Sequence, residues 1–323
     1  MNLLSLLAVV STSSSTIIPI TFTPNPPMEL PQVGVPMIKA EFRALYGFIS
    51  MRPHVIHFGA AGESLPADDE GIYGTFDYPQ LRISTADDTL IAIARPRHHN
   101  IDWNIGRRRS AIGIGPGSDL LRAGGALDFV RQSSSEAFLR LGGSEHNFIA
   151  NDCLSDSVMR MATVIGYSRR DLQDIYPVAH VETRFSFSIA GNVVSTDSVA
   201  ILDSKGYVLT IPNTWYRIIY TELEPYRVPF ESGAVFTDCN QALQRLPIIT
   251  LTFSTHSLRL LPEDYTAPRY PEILRDTCEL LIRAIPDSEV DPTIKFNPLM
   301  IPGMNARSTE NEIILCNSAT INP

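Results

Sequence analysis

A mostly-β architecture with a few short helices is the fold class this sequence predicts, and three observations carry it. β-rich or alternating runs recur along the chain, helical periods are few and short, and 24 prolines and 19 glycines punctuate it without forming a long linker. The strand signals fall at 16–22, 71–75, 81–84, 89–94, 183–189, 199–202, 207–211 and 247–253. Helical patterns are expected at 120–131, 169–175, 213–221 and 270–282.

At 323 residues, and with about 150 residues per domain, the chain divides into two lobes, each able to bury a core. The boundaries are placed at 16–180 for the N-terminal lobe and 181–323 for the C-terminal lobe. Residues 1–15 pair a short apolar run, Met1 to Val10, with small residues from Ser11 to Ser15. That length suits a signal-peptide core and is too short to cross a bilayer, so a secreted or extracellular protein is expected. No later stretch reaches about 18 uninterrupted apolar residues, which argues against a membrane role.

The net charge of -9 repels phosphate backbones and argues against nucleic-acid binding. Arg95, Arg97, Arg107, Arg108 and Arg109 form a local basic exception, read with Pro96 and Trp103 as a solvated loop. Four cysteines, Cys153, Cys239, Cys278 and Cys316, show no C-x-x-C spacing, so a cysteine zinc site is not expected. An even count fits two disulfides, and by itself leaves three connectivities open.

Several constellations dissolve on inspection. The run Ser110 to Ser118, with Gly113, Gly115 and Gly117, lacks the glycine offset of a phosphate loop, and Pro116 removes an amide donor. His98–His99 with Asp102, and His54 with His57, lack the spacing that would put ligands on one strand face, so no metal and no cofactor are expected. No G-x-S-x-G elbow occurs. What remains is the segment from Val199 to Pro212, where an apolar strand delivers one carboxylate, Asp203, onto a tight turn before a second apolar strand.

Here the chain resembles the C-terminal lobe of pepsin-like aspartic proteases. Their second motif, apolar-apolar-Asp-Thr-Gly-Thr/Ser, aligns with Ile201-Leu202-Asp203-Ser204-Lys205-Gly206 without a gap. Phe236 to Cys239, Leu246 to Phe253, Leu261 to Tyr265, Cys278 and the stretch Ile294 to Met300 follow in the family's order. In the N-terminal half, Val33 to Pro36, Phe42 to Tyr46, Ile72 to Thr75, Ala111 to Gly115 and Leu139 to Gly143 are similar to its landmarks. The resemblance implies a bilobal pepsin-like fold, a flap around Tyr73, Gly74 and Thr75, a Cys239–Cys278 disulfide, and a Cys153–Cys316 bond tying the sheet between the lobes.

The departures bear on chemistry. The family mechanism needs two carboxylates sharing one proton. Gly47 stands where the first aspartate would be, leaving Asp203 as a vestigial member of the dyad. Lys205 replaces a glycine beside Asp203, and Phe76 replaces a glycine after the flap residues. The spacing from a cleavage near Ser15 to Gly47 leaves no room for the family's inhibitory propeptide. A monomeric, secreted pseudoprotease is therefore expected, with Tyr73, Gly74, Thr75, Phe76, Ser204 and Lys205 lining a cleft that binds a peptide or protein ligand. Two alternatives stand beside it. One is an active acid endopeptidase whose second acid, such as Asp77, escapes the alignment; the other is a structural or decoy protein whose cleft is plugged by Phe48 and Phe76.

Overall fold

The computed structural model describes residues 16–23, 35–43, 49–57, 73–75, 80–84, 86, 90–93, 102–104, 111–115, 119–133, 136–162, 164–169, 175–180, 183–202, 207–228, 235–253, 256–268, 276–287 and 293–320. The first half runs β1 (Thr16–Thr23), β2 (Val35–Arg43), β3 (Ile49–His57), β4 (Tyr73–Thr75), β5 (Gln80–Ser84), β6 (Leu90–Ile93), β7 (Asp102–Asn104), β8 (Ala111–Gly113), α1 (Asp119–Gly124), β9 (Leu127–Arg131), β10 (Glu136–Leu141), α2 (Glu145–Asp152), β11 (Met159–Ala162), β12 (Val164–Arg169) and β13 (Ile175–His180). The second half runs β14 (Thr183–Ile189), β15 (Asn192–Leu202), β16 (Leu209–Pro212), α3 (Asn213–Glu222), β17 (Val235–Thr237), α4 (Cys239–Arg245), β18 (Ile249–Thr252), β19 (Ser257–Leu260), β20 (Thr266–Pro268), β21 (Thr277–Leu280), β22 (Ile282–Ile285), β23 (Thr293–Phe296), β24 (Met304–Ser308) and β25 (Glu312–Asn317).

Period-two burial explains the strands. In β14, Phe185, Phe187 and Ile189 are buried while Arg184 faces water, and in β10 Ala137, Leu139 and Leu141 alternate in the same way. The helices are local decisions of another kind. Ser144 caps α2 by accepting from the Asn147 amide at 3.2 Å, with Glu145 in the first turn favouring the helix dipole. Trp215 and Ile219, four apart, bury one face of α3, and Phe187 stacks on Trp215 at 4.8 Å. Pro225, three residues past the end of α3, sits in a short 3-10 turn and cannot continue the helix.

Two large sheets organise the molecule. One has eleven strands, including the path β11-β25-β24-β9-β10-β1-β2-β3-β8; the other has seven, in the order β19-β18-β14-β15-β23-β16-β22. The last strands, β24 and β25, return to the first sheet and pair with β9 and β11, so the chain's closing segment is built into its first half. A single apolar core links the sheets, from Ile18, Phe129 and Leu139 through Met304 and Leu315 to Phe187, Ile211 and Phe296. A smaller cluster, Val130, Phe148, Cys153, Ile314 and Cys316, lies beneath α2.

Cys153 is bonded to Cys316 and Cys239 to Cys278, with Cα–Cα separations of 5.5 and 5.6 Å. Among the described residues no helix is long and apolar enough to cross a membrane.

Two expected helices are corrected, and most of a third lies outside the described residues. The 120–131 pattern is helical only to Gly124; Gly125 takes a left-handed φ of 71° and the chain re-emerges as β9. Arg169 and Ile175 end the paired strands β12 and β13, with 170–174 outside the described residues. Of the helix expected over 270–282, residues 277–280 are strand β21, where Cys278 pairs opposite Phe236 of β17, and 270–275 lie outside the described residues. Short apolar runs read equally well as helix or strand, and tertiary pairing decided for strand. The basic loop around Trp103 likewise contains a strand, β7, which pairs with β4.

Candidate functional site

The second sheet fixes the two ends of the segment that carries Asp203. β15 ends at Leu202 and β16 begins at Leu209, and both are bonded to β23, which lies between them. β23 runs parallel to β15, matching Ile201 with Lys295 and Leu202 with Phe296, and antiparallel to β16, matching Thr210 with Lys295. Residues just past the turn are pinned on both sides: the Val208 amide donates to the Leu281 carbonyl, and the Asn297 amide donates to the Val208 carbonyl, each at 2.9 Å. Asn297 is almost fully buried, and its Oδ1 accepts from the Leu299 amide at 3.2 Å. The flanks of the carboxylate-bearing segment are thus fixed by three strands and a buried carboxamide. Asp203, Ser204 and Lys205 themselves lie outside the described residues.

The first half is built differently. β2 and β3 pair directly as an antiparallel hairpin from Met37↔Val55 to Arg43↔Ile49, and no strand is inserted between them. β8 joins the far side of β3 in parallel, Val55 against Ala111. Residues 44–48, Ala-Leu-Tyr-Gly-Phe, connect the hairpin and contain no carboxylic acid at any position. Gly47 falls in this segment, outside the described residues, as do Phe48, Phe76 and Asp77. Tyr73, Gly74 and Thr75 form β4, opposite Asn104, Trp103 and Asp102 of β7.

Sequence reasoning missed a buried charged row across the first sheet. Asp128 of β9 lies opposite Arg140 of β10 on one side and Arg307 of β24 on the other. Arg307 donates to Asp128 and, at 2.7 Å, to the Gly143 carbonyl; Arg140 donates to Asp152 of α2 at 2.9 Å and lies 3.5 Å from Asp128. Asp128 is wholly buried. Burial pushes its carboxyl up more than the guanidiniums of Arg307 and Arg140 pull it down, so the row is assembled at an electrostatic cost. Beside it, Asn305 accepts from the Arg131 amide at 2.7 Å and donates to the Asp152 carbonyl at 2.7 Å. Arg131 donates to the Leu299 carbonyl at 2.9 Å. These groups hold the closing strands to the first half; the arrangement positions rather than reacts. The available signal was an acid and a base inside the apolar segment Leu127-Asp-Phe-Val-Arg131. Among the described residues no group of three or more His, Cys, Asp or Glu side chains could hold a metal ion.

No family model matches the chain, and no curated protein sequence does so. Among solved structures, the chain is similar to the crystal structure of basic 7S globulin from soybean, with a TM-score of 0.57 and 12% identity over 95% of each chain. That soybean protein is related to the pepsin-like aspartic protease fold. At this identity the likeness speaks for architecture alone, and the architecture is mostly β and pepsin-like.

Proposed function

We propose that this chain is a secreted, catalytically inactive relative of the pepsin-like aspartic proteases, and that the cleft between its lobes takes an extended peptide or protein segment. One observation carries the reading: the 44–48 connection, where the partner of Asp203 would stand, holds no carboxylic acid. Hydrolysis by a shared-proton pair needs one acid to activate water and another to protonate the substrate carbonyl, and one carboxylate cannot do both. Lys205 stands two residues after Asp203, where the family has a glycine. The direct β2–β3 hairpin supports the same conclusion, because it presents the 44–48 segment on a frame unlike the one that carries Asp203. Extended ligands bind largely through main-chain hydrogen bonds, which need no dyad. Two disulfides fit an oxidising compartment and hence secretion.

The test incubates purified protein with a diverse peptide pool from about pH 2 to 7, the range over which carboxylates titrate, beside an Asp203→Asn variant. Mass spectrometry is expected to find no cleavage at any pH, with a subset of peptides retained by the protein. Cleavage that disappears in Asp203→Asn overturns the reading in favour of an active endopeptidase with a second acid such as Asp77. Absence of both cleavage and retention favours the plugged, structural alternative.

A further inference from the structure

Tyr216, Tyr220 and Tyr226, on and just beyond α3, are partly buried against the core. Tyr216 and Tyr220, four residues apart on one helix face, stack at 5.5 Å between ring centroids with 21° between planes. The Arg227 guanidinium sits 5.6 Å above the Tyr220 ring, and Arg283 sits 5.9 Å above Tyr207. Burial, with Tyr220 and Tyr207 close by, pushes the Tyr216 hydroxyl up to about 12, so it stays a neutral donor at any physiological pH. Among the described residues no hydrogen bond engages the hydroxyls of Tyr207, Tyr216, Tyr220 or Tyr226.

An open groove of about 540 Å³ is lined by Glu222, Tyr226, Gln241, Gln244 and Arg245. These side chains come from the end of α3, the turn after it, and α4. None makes a side-chain hydrogen bond or ion pair among the described residues. Their chemistry is selective. One acid and one guanidinium cancel in charge, two carboxamides offer paired donors and acceptors, and one phenol supplies an apolar face. A phosphate or nucleotide site would gather cations, and an apolar ligand would need a deeper, drier pocket. Carboxamide, carboxylate and guanidinium forks match vicinal hydroxyls, and a tyrosine face matches the C–H face of a sugar ring.

We propose that the groove between the α3 terminus and α4 is a binding site for a neutral oligosaccharide. It shares no residue with the Asp203 turn or the flap strand, so it stands whether or not the cleft holds a peptide.

The experiment is isothermal titration of the full chain with xylohexaose, cellohexaose and maltohexaose, in low salt and in about 0.5 M NaCl, where exposed charge interactions are screened. Saturable binding of at least one hexasaccharide, unchanged by salt, is expected. Tyr226→Ala and the double variant Gln241→Ala/Gln244→Ala should each weaken it about tenfold or more. All lie on the surface or half-buried, and the near-ultraviolet spectrum checks that each variant is folded. Failure to bind any neutral hexasaccharide overturns the proposal. So does salt-sensitive binding of polygalacturonate alone, or binding of a proline-rich peptide in their place, and so does sugar binding that both variants retain.

Discussion

Replacing Asp128 by alanine tests what the buried row does. The carboxylate is wholly enclosed, and removing it strands Arg307, whose side chain is only 6% exposed, with the Gly143 carbonyl as its remaining acceptor. Arg140 is cushioned, since it is 15% exposed and keeps Asp152 at 2.9 Å. Breaking a buried pair from one side costs about 3–5 kcal/mol, because a charge is left without compensation. Asp128→Ala is therefore expected to lower the unfolding free energy by about that amount, read from urea titrations with the slope unchanged. Asp128→Asn should cost less, because burial is the larger of the opposing influences on this carboxyl. The double variant Asp128→Leu/Arg307→Met, which removes both charges and keeps volume, should cost less than Asp128→Ala alone. A loss below about 1 kcal/mol for Asp128→Ala, or a double variant as unstable as the single one, would refute the stranded-charge argument.

Four further outcomes follow from the same structure. An acid whose folded value is raised contributes stability that is present below its ordinary pKa and lost as pH rises through the folded value; the stability of the native chain relative to Asp128→Asn should therefore be greatest in acid and shrink toward neutrality in pH-resolved unfolding. Loop-entropy arithmetic over separations of 163 and 39 residues gives about 5 kcal/mol for Cys153–Cys316 and about 4 kcal/mol for Cys239–Cys278, so paired alanine variants should lose more at the first bond. Gly143→Ala would place a Cβ 2.5 Å from Asp128 Oδ2 and 3.0 Å from Arg140 Cδ, and should destabilise by about 1–3 kcal/mol in the same urea assay. Ala190 holds a φ of 52° in the tight turn before Gly191, so Ala190→Gly should raise stability by about 1 kcal/mol, seen as a higher melting temperature.

Much of the local structure is legible in the residues themselves. Alternation marks β14 and the end of β15, Trp215 and Ile219 mark α3, and Ser144 with Glu145 marks the start of α2. These features depend on neighbours within a turn or two, where propensity and periodicity act directly. The described ends of the helices expected over 169–175 and 270–282 are strand because they answer to strand partners: Ile175 to Arg169, and Thr277 and Cys278 to Thr237 and Phe236. The candidate site shows the same division. Asp203 and the lack of an acid over 44–48 are plain in the sequence. The insertion of β23 between β15 and β16, against the direct β2–β3 hairpin in the first half, is not.

By itself, then, the sequence determined a mostly-β chain with one carboxylate on a strand-flanked turn, and four cysteines whose pairing by count alone had three solutions. Only the tertiary structure set Arg307 beside Asp128 across 179 residues and inserted β23 between β15 and β16. The physical reason is register. A one-residue slip in a strand turns every side chain to the opposite face, so contacts between distant strands depend on how the whole sheet assembles, which no local pattern encodes.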